Sequence, residues 1–473
     1  MNPKTPKQFI NRRDFLRSSI GAGILATSTM GCLSNPLKMV QPGNGEVVVI
    51  GAGIAGITVA RELQSLGFGV TILEGQDRIG GRIQTDRSLG MPVELGASRV
   101  RGEKSNPLTD HIKNAGIEYS RVDWASITGR TETGKLMDEK KLSKAKPDLF
   151  RMLSKAFIRN FAKDEDSSIA DVIARERALR RWTQEEELIL DFSLGSGEIA
   201  NGSPFAHASW KMLREFQEFG GVDQYVTNGY DALPAYLADG LDIRFNQQVQ
   251  TIDYTTSPVK ITTQNSTFEA NYVVVTASLG VLKSNSIQFL PQLPWRKQRA
   301  IERMGMGTIN KLAMRFPKSF WPTDKAAIAH GTKKFGKFSV FLNLGVYNDD
   351  KHPVLMALMG ETYKNALEGV KEEDAVREAH QVLQGMYGSD IPAPTGVVRS
   401  QWQSNPFIRG AFSYNKLGAE GSDREDLAES LESRLFFAGE ATHRERYGSV
   451  SGAFLSGKRA TKEILEASAS LRT

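Results

Sequence analysis

The sequence predicts an α/β fold organised around a parallel sheet, and three observations predict it. An apolar strand runs into a glycine-rich turn and an amphipathic helix between Glu46 and Glu74. A second strand, a Gly-Glu turn and a helix stand near the other end of the chain, from Leu435 to Glu466. Between them, residues 106–220 read mostly as helices, for example Ser168 to Ile189, and residues 240–275 alternate like strands, Ile243 to Tyr254 and Val259 to Phe268.

The chain opens on an address. Residues 11–17 read Asn-Arg-Arg-Asp-Phe-Leu-Arg, and a Gly/Ala-rich apolar run follows from Ile20 to Met30. Basic region, apolar region, small residues is the order of an export signal. The Arg12–Arg13 pair before Asp14-Phe15-Leu16 resembles a bacterial twin-arginine signal, which implies the twin-arginine translocase as a partner and a periplasmic or secreted location. Met30-Gly31-Cys32 resembles a lipoprotein cleavage site, with Thr29 where a large aliphatic usually stands, so a lipid anchor at Cys32 is an alternative end for this segment. Residues 1–43 are set aside as signal and linker.

The strand Glu46-Val47-Val48-Val49-Ile50 is a continuous β-branched run, the pattern of a strand covered on both faces. It enters Gly51-Ala52-Gly53-Ile54-Ala55-Gly56, after which Ile57, Val59, Ala60, Leu63 and Leu66 recur at helical spacing up to Gly67. The strand Val70-Thr71-Ile72-Leu73 then closes on Glu74, 18 residues after Gly56. Strand, glycine turn, helix, strand and acid form the Rossmann-type dinucleotide fingerprint in its required context. Gly51 permits the tight turn, Gly53 lets backbone approach a pyrophosphate, and Gly56 lets the helix pack close to the strand. The helix N-terminus offers unpaired N–H groups to phosphate, and Glu74 accepts from ribose hydroxyls.

Ile79-Gly80-Gly81-Arg82 follows directly. Gly81 brings backbone near a ligand, and Arg82 supplies a planar, permanent cation for pyrophosphate. At the far end, Leu435-Phe436-Phe437-Ala438-Gly439-Glu440-Ala441-Thr442 leads through Gly448-Ser449-Val450-Ser451-Gly452 to a helix from Phe454 to Glu466. This is a second place where backbone N–H groups meet an electron-rich ligand.

Composition limits the alternatives. At roughly 150 residues per domain, 473 residues suggest two or three domains. Hydrophobic residues at 40% and charged residues at 24% are globular values, which excludes a disordered or fibrous chain. No window reaches the ~20 apolar residues of a membrane-spanning helix. The net charge is +6, but within residues 1–40 Lys4, Lys7, Arg12, Arg13, Arg17 and Lys38 against Asp14 already give +5, leaving +1 for the body. Global charge therefore gives no support for nucleic acid as a partner. Cys32 is the only cysteine and the six histidines are scattered, so neither a disulfide framework nor a metal site is expected.

Taken together, these motifs resemble the flavin-containing amine oxidase family, which spans monoamine and polyamine oxidases, histone-demethylase-like oxidases and L-amino acid oxidases. The resemblance includes Val93-Glu94-Leu95-Gly96-Ala97, Asn228 to Pro234, Val273 to Leu282, Gly307-Thr308-Ile309-Asn310-Lys311, Phe316, Phe320-Trp321 and the stretch Trp402 to Tyr414. It implies a discontinuous FAD-binding domain with an inserted α+β substrate domain. The corresponding segments are 44–105, 221–290 and 401–473 for FAD, and 106–220 and 291–400 for substrate. It also implies cofactor contacts at Gly51, Gly53, Gly56, Glu74, Gly81, Arg82, Val249, Gly439, Glu440 and Val450.

Amine oxidation moves a hydride equivalent from the α-carbon to flavin N5, so the protein contributes position and electrostatics. The resemblance places Lys311 where the family's lysine contacts N5 through a water. The plain alternative is a surface lysine, which its neighbours Ile309, Leu312, Ala313 and Met314 make a poor fit. In Arg409-Gly410-Ala411-Phe412, Ala411 stands where monoamine oxidases carry the cysteine that attaches FAD, so FAD is expected to be non-covalent. Phe412 keeps one wall of the aromatic cage, while Ser449 replaces the tyrosine often found at the other. Trp402 is expected over the flavin, or else as a core tryptophan. Arg99 stands where L-amino acid oxidases place the arginine that clamps the substrate carboxylate, although Ser98 and Arg101 depart from that pattern; its alternative is an internal ion pair.

The expectation is an FAD-dependent oxidase of an amine or L-amino acid that yields imine, then carbonyl compound, ammonia and peroxide. A desaturase or dehydrogenase passing electrons to a carrier, and a non-catalytic flavoprotein subunit, are the other readings. Expected partners are a small amine or amino-acid substrate, O2 or an electron carrier, and a second copy of the chain in a homodimer.

Overall fold

The computed structural model describes residues 45–160, 166–211, 215–348, 350–363 and 367–470. The Arg12–Arg13 pair, the apolar run Ile20–Met30 and Cys32 lie outside the described residues.

The fold is α/β. Its central sheet has five strands, in the order Leu435–Phe437, Tyr272–Val275, Glu46–Ile50, Gly69–Leu73 and Asp242–Arg244, and every pairing is parallel. The β-branched run of the first strand follows from its place in the middle. Val47 and Val49 face a core shared with the helices Ile54–Ser65 and Val450–Ser470. Val48 and Ile50 face a second core against the four-stranded sheet of Val249–Asp253, Val259–Thr263, Thr267–Ala270 and Gln288–Leu290. A strand buried on both faces has no solvent side on which to place polar residues.

The glycine turn is set by two close approaches. Gly51 has φ +104°, and a Cβ there would stand 2.7 Å from the Thr276 hydroxyl. A Cβ on Gly56 would stand 2.1 Å from the Gly51 carbonyl oxygen, so the helix could not sit this near the strand with any other residue.

A six-stranded sheet forms the other side of the molecule, in the order Gly396–Arg399, Ile309–Arg315, Val354–Gly360, Val340–Asn343, Ala327–Gly331 and Ile127–Thr131. It is antiparallel except at the last pair. Helices Glu139–Asn160, Ile169–Arg177 and Gln184–Asn201 accompany it.

Four sequence spans differ in detail. Ser168 to Ile189 is two helices, because Trp182 donates its indole N–H to the Arg177 carbonyl and Thr183 starts a new helix in a capping box with Glu186. Ile243 to Tyr254 alternates without interruption in sequence, yet the chain leaves one sheet for another at residues 245–248, where Asn246 takes φ +56°. Val259 to Phe268 is the greater part of a hairpin, with Val259 opposite Ala270. Periodicity reports which face is buried, not which sheet buries it. The C-terminal helix runs from Val450 to Ser470, longer at both ends than the sequence suggests.

Candidate active site

A cavity of about 1440 Å³ lies among these layers. It exceeds the ~300–1,000 Å³ of an ordinary small-molecule pocket, which is room for a dinucleotide and a substrate together. Gly51, Gly53, Glu74, Gly81, Arg82, Arg99, Val249, Lys311, Trp402, Phe412, Gly439, Glu440 and Val450 all line it. Gly56 does not; it sits behind the turn, against Gly51.

At the nucleotide end, Gly53 and Gly80 form a bridge, and Gly80 N–H donates to the Ala52 carbonyl at 2.8 Å. Glu74 accepts backbone N–H bonds from Ala52 (2.7 Å) and Gln76 (2.9 Å), which ties the turn to the end of the second strand. Arg82 donates to the Ala411 carbonyl (3.1 Å) and to Glu440 (2.7 Å). Glu440 is more heavily engaged than the sequence implies. It also accepts from Ser413 N–H (3.1 Å), the Ser413 hydroxyl (2.7 Å) and Gly448 N–H (2.6 Å). Burial opposes its ionisation, but Arg82, Arg424 and the Ser413 hydroxyl outweigh that and hold the carboxyl below its ordinary value. Glu440 thus fastens Arg82, the Phe412–Tyr414 strand and the approach to the last helix at one point.

Lys311 lies on the strand Ile309–Arg315 and is only 8% exposed. Its Nζ donates to the carbonyl oxygens of Glu94 (2.8 Å) and Gly96 (2.7 Å), leaving its third donor position for the cavity it lines. Burial lowers the Lys311 amine and raises the Glu94 carboxyl, and each charge resists the other's shift. The Glu94 carboxyl accepts from the Thr85 hydroxyl and from Tyr230 N–H. Trp402 donates its indole N–H to the Leu95 carbonyl at 3.2 Å, while its ring lies against Gly96, so it is at once a core residue and a cavity wall.

Arg99 lines the same cavity, near enough for its charge to lower the Lys311 amine further. Its guanidinium stands 4.8 Å from the Trp124 ring centre and 3.6 Å from the Asp223 carboxylate. It donates no hydrogen bond to any described residue. Burial and the neighbouring Arg101 pull it down to about 10, so it remains a cation at neutral pH. Lys146 approaches Trp124 at 4.8 Å as well. Tyr225, opposite Arg99 where the strands Arg99–Val100 and Gln224–Val226 pair, stacks on Tyr347 at 4.4 Å, and its buried hydroxyl has no partner among the described residues.

Phe412 packs against two glycines: a Cβ would come within 2.1 Å of its ring at Gly202 and 2.8 Å at Gly448. Ser449 accepts from Gly452 N–H at 2.9 Å and begins the last helix. Tyr447, two residues earlier, lines the cavity with its ring 4.0 Å from the Arg424 guanidinium. Sequence reasoning gave no role to Glu94, which it named only within a motif, and passed over Trp124, Asp223, Tyr225 and Tyr447. Glu94 was visible as an acid between Val93 and Leu95, but nothing local marks the others.

The cradle fits a dinucleotide. Nothing stands within 4 Å of a Cβ built on Gly53, and one on Gly81 would meet only the Gly53 Cα at 3.5 Å, so the two loops leave an open floor of bare backbone. The helix that starts there has no side-chain cap, and its first-turn N–H groups are available to an anion. Among the described residues there is no cysteine to attach a flavin, and Ala411 is on the cavity wall. Acid or heat denaturation of the yellow protein is therefore expected to release all of its FAD. Flavin that stays with the polypeptide after denaturation would contradict this.

Comparison with known proteins agrees with the site. The family model for flavin-containing amine oxidoreductases matches residues 54–465. A lysine-specific histone demethylase 1 homolog 1 of Arabidopsis thaliana is 33% identical over 90% of this chain and 52% of its own length. A homolog 2 from the same plant is 34% identical over 91% and 59%, and the human lysine-specific histone demethylase 2 is 31% identical over 89% and 53%. The chain thus spans somewhat more than half the length of these relatives. With the dinucleotide cradle and the buried lysine in one cavity, the match over most of its length makes this chain a member of the flavin-containing amine oxidoreductase family, with FAD bound non-covalently.

Proposed function

We propose that the chain oxidises an amine bearing a carboxylate, in the simplest case an L-amino acid, at the carbon next to nitrogen. The observation that carries this reading is Arg99, a cavity-wall cation whose N–H groups donate to no described residue and whose nearest carboxylate, Asp223, is beyond hydrogen-bonding distance at 3.6 Å. FAD held in this cradle would supply the two-electron oxidation, with dioxygen as the final electron acceptor. Overall, amine, O2 and water become carbonyl compound, ammonia and hydrogen peroxide.

The protein's own groups do the rest. Arg99 would hold the carboxylate through its planar fork. Phe412 and Trp402 exclude water, which favours the neutral amine that reacts. Lys311 keeps its Nζ fixed between two carbonyls, and burial makes it able to exchange a proton near neutral pH. An anaerobic screen of L-amino acids and simple amines tests the reading. Flavin bleaching by amino acids is expected, and bleaching by none of either class would remove the oxidase assignment.

A second reading has its own support. Asp223 already partners Arg99 electrostatically, and Trp124 covers its face. If Arg99 is structural, the substrate is an amine without a carboxylate. The relatives are named for lysine in histones, so an N-methylated lysine in a peptide is the form to include in the screen.

A further inference from the structure

The helix Glu139–Asn160 is the least covered long element beside the cavity. Leu142, Ala145, Leu149 and Ala156 are buried. Ser143, Pro147, Phe150, Ser154 and Ile158 follow at steps of four, three, four and four, so they share one stripe. All five stand at the cavity rim, yet Phe150 is 60% and Ile158 75% exposed. Isolated exposed apolar residues are ordinary; two on one stripe at a cavity mouth are not.

The next stripe around the helix is basic: Lys140, Lys144, Arg151 and Lys155 are all exposed. With Lys141 and Lys146 the helix exposes six described cations against two carboxylates, Glu139 and Asp148. Those carboxylates are engaged, Glu139 with Lys325 at 2.9 Å and Asp148 with Arg151 at 2.6 Å. Lys141 pairs with Glu185, but Lys140, Lys144 and Lys155 are in no ion pair among the described residues.

We propose that this face docks on an anionic lipid surface, with Phe150 and Ile158 entering the headgroup region and the basic stripe meeting lipid phosphates, so that the cavity mouth opens toward the membrane. An exposed apolar stripe bordered by lysine and arginine is the pattern of a helix lying in a membrane interface. The alternatives match it less well. An acidic peptide would satisfy the cations and leave Phe150 and Ile158 wet. A second copy would set one basic stripe against another. No described helix is long and apolar enough to cross a membrane, so the contact is peripheral. The inference is independent of which amine the cavity accepts.

The test is sedimentation of the FAD-loaded full chain with phosphatidylcholine vesicles, with and without phosphatidylglycerol. Binding is expected to require phosphatidylglycerol and to fall as salt rises. The triple variant Lys140→Gln, Lys144→Gln, Lys155→Gln is expected to bind on the order of 100-fold more weakly, at about a fivefold loss per charge. Phe150→Ser is expected to cost ~10-fold or more through lost apolar burial. Because residues 1–43 are common to all three proteins, the differences report the helix and not the basic N-terminus. The triple variant should retain FAD and turn over a soluble substrate at the wild-type rate. Vesicle binding that is indifferent to phosphatidylglycerol, or equal in wild type and triple variant, would overturn the proposal. So would a dimer in free solution that Phe150→Ser dissociates, which would assign the face to self-association.

Discussion

Lys311→Met is expected to slow flavin reduction or reoxidation by about 100-fold or more, with FAD still bound, because one preorganised polar group in a dry site typically carries that much. Methionine fills most of the same volume with an unbranched chain one atom shorter, and it removes every hydrogen that Nζ donates. Two carbonyls, Glu94 and Gly96, then lose a partner, which costs stability of about 1–3 kcal/mol for each one left unsatisfied. Flavin content and melting temperature separate that cost from the kinetic one. A second signature follows from the amine's lowered proton affinity. Burial holds the Lys311 amine below its ordinary value, so any pH dependence that Lys311 imposes on either half-reaction lies below the usual lysine range and should be absent from the variant's profile. Stopped-flow traces that match wild type in both half-reactions would take Lys311 out of the chemistry.

Arg99→Ala is expected to lower kcat/KM for an L-amino acid by about 100-fold, the worth of a charge-assisted pair in a partly desolvated site. The same variant should change turnover of the corresponding decarboxylated amine only a few-fold. In wild type, that amine should reduce the flavin far more slowly than the amino acid, because it leaves the Arg99 cation without a carboxylate beyond Asp223. The paired comparison distinguishes the two substrate readings directly. Faster reduction by the amine in wild type, with no change of preference on substitution, assigns Arg99 to its contacts with Asp223 and Trp124 and leaves a plain amine as substrate. Tyr225 offers an internal check, since its buried hydroxyl, opposite Arg99 on the paired strand, lacks a partner among the described residues. Tyr225→Phe should weaken amino-acid turnover only if the hydroxyl meets the substrate.

How much of this was legible in the residues depends on how local each feature is. The dinucleotide turn was, because Gly51, Gly53 and Gly56 act within one strand–turn–helix unit and their spacing states the geometry. The unusual position of Lys311 was too, since a lysine among Ile309, Leu312, Ala313 and Met314 can hardly be solvated on a strand buried up to Met314. The non-covalent flavin followed from Ala411 and from a chain whose only cysteine is Cys32.

What holds those groups was not legible. Lys311 is fixed by carbonyls some 215 residues away, and Arg82 by a carboxylate 358 residues away. The sequence marked Glu440 as a group facing the cofactor; the structure makes it the knot that binds Arg82, Ser413 and Gly448. Arg99 read equally well as a clamp or an internal pair, and only the structure places Asp223 3.6 Å from its guanidinium, too far for a hydrogen bond. The sheet change after Arg244 was hidden for the same reason, because alternation is identical on either side of it. The sequence by itself determined which residues are apolar, turn-forming or charged, and hence the family and the cofactor cradle. The tertiary structure alone decided which distant polar groups meet, because hydrophobic spacing is a property of neighbours along the chain, whereas a hydrogen bond depends on where the whole chain has travelled.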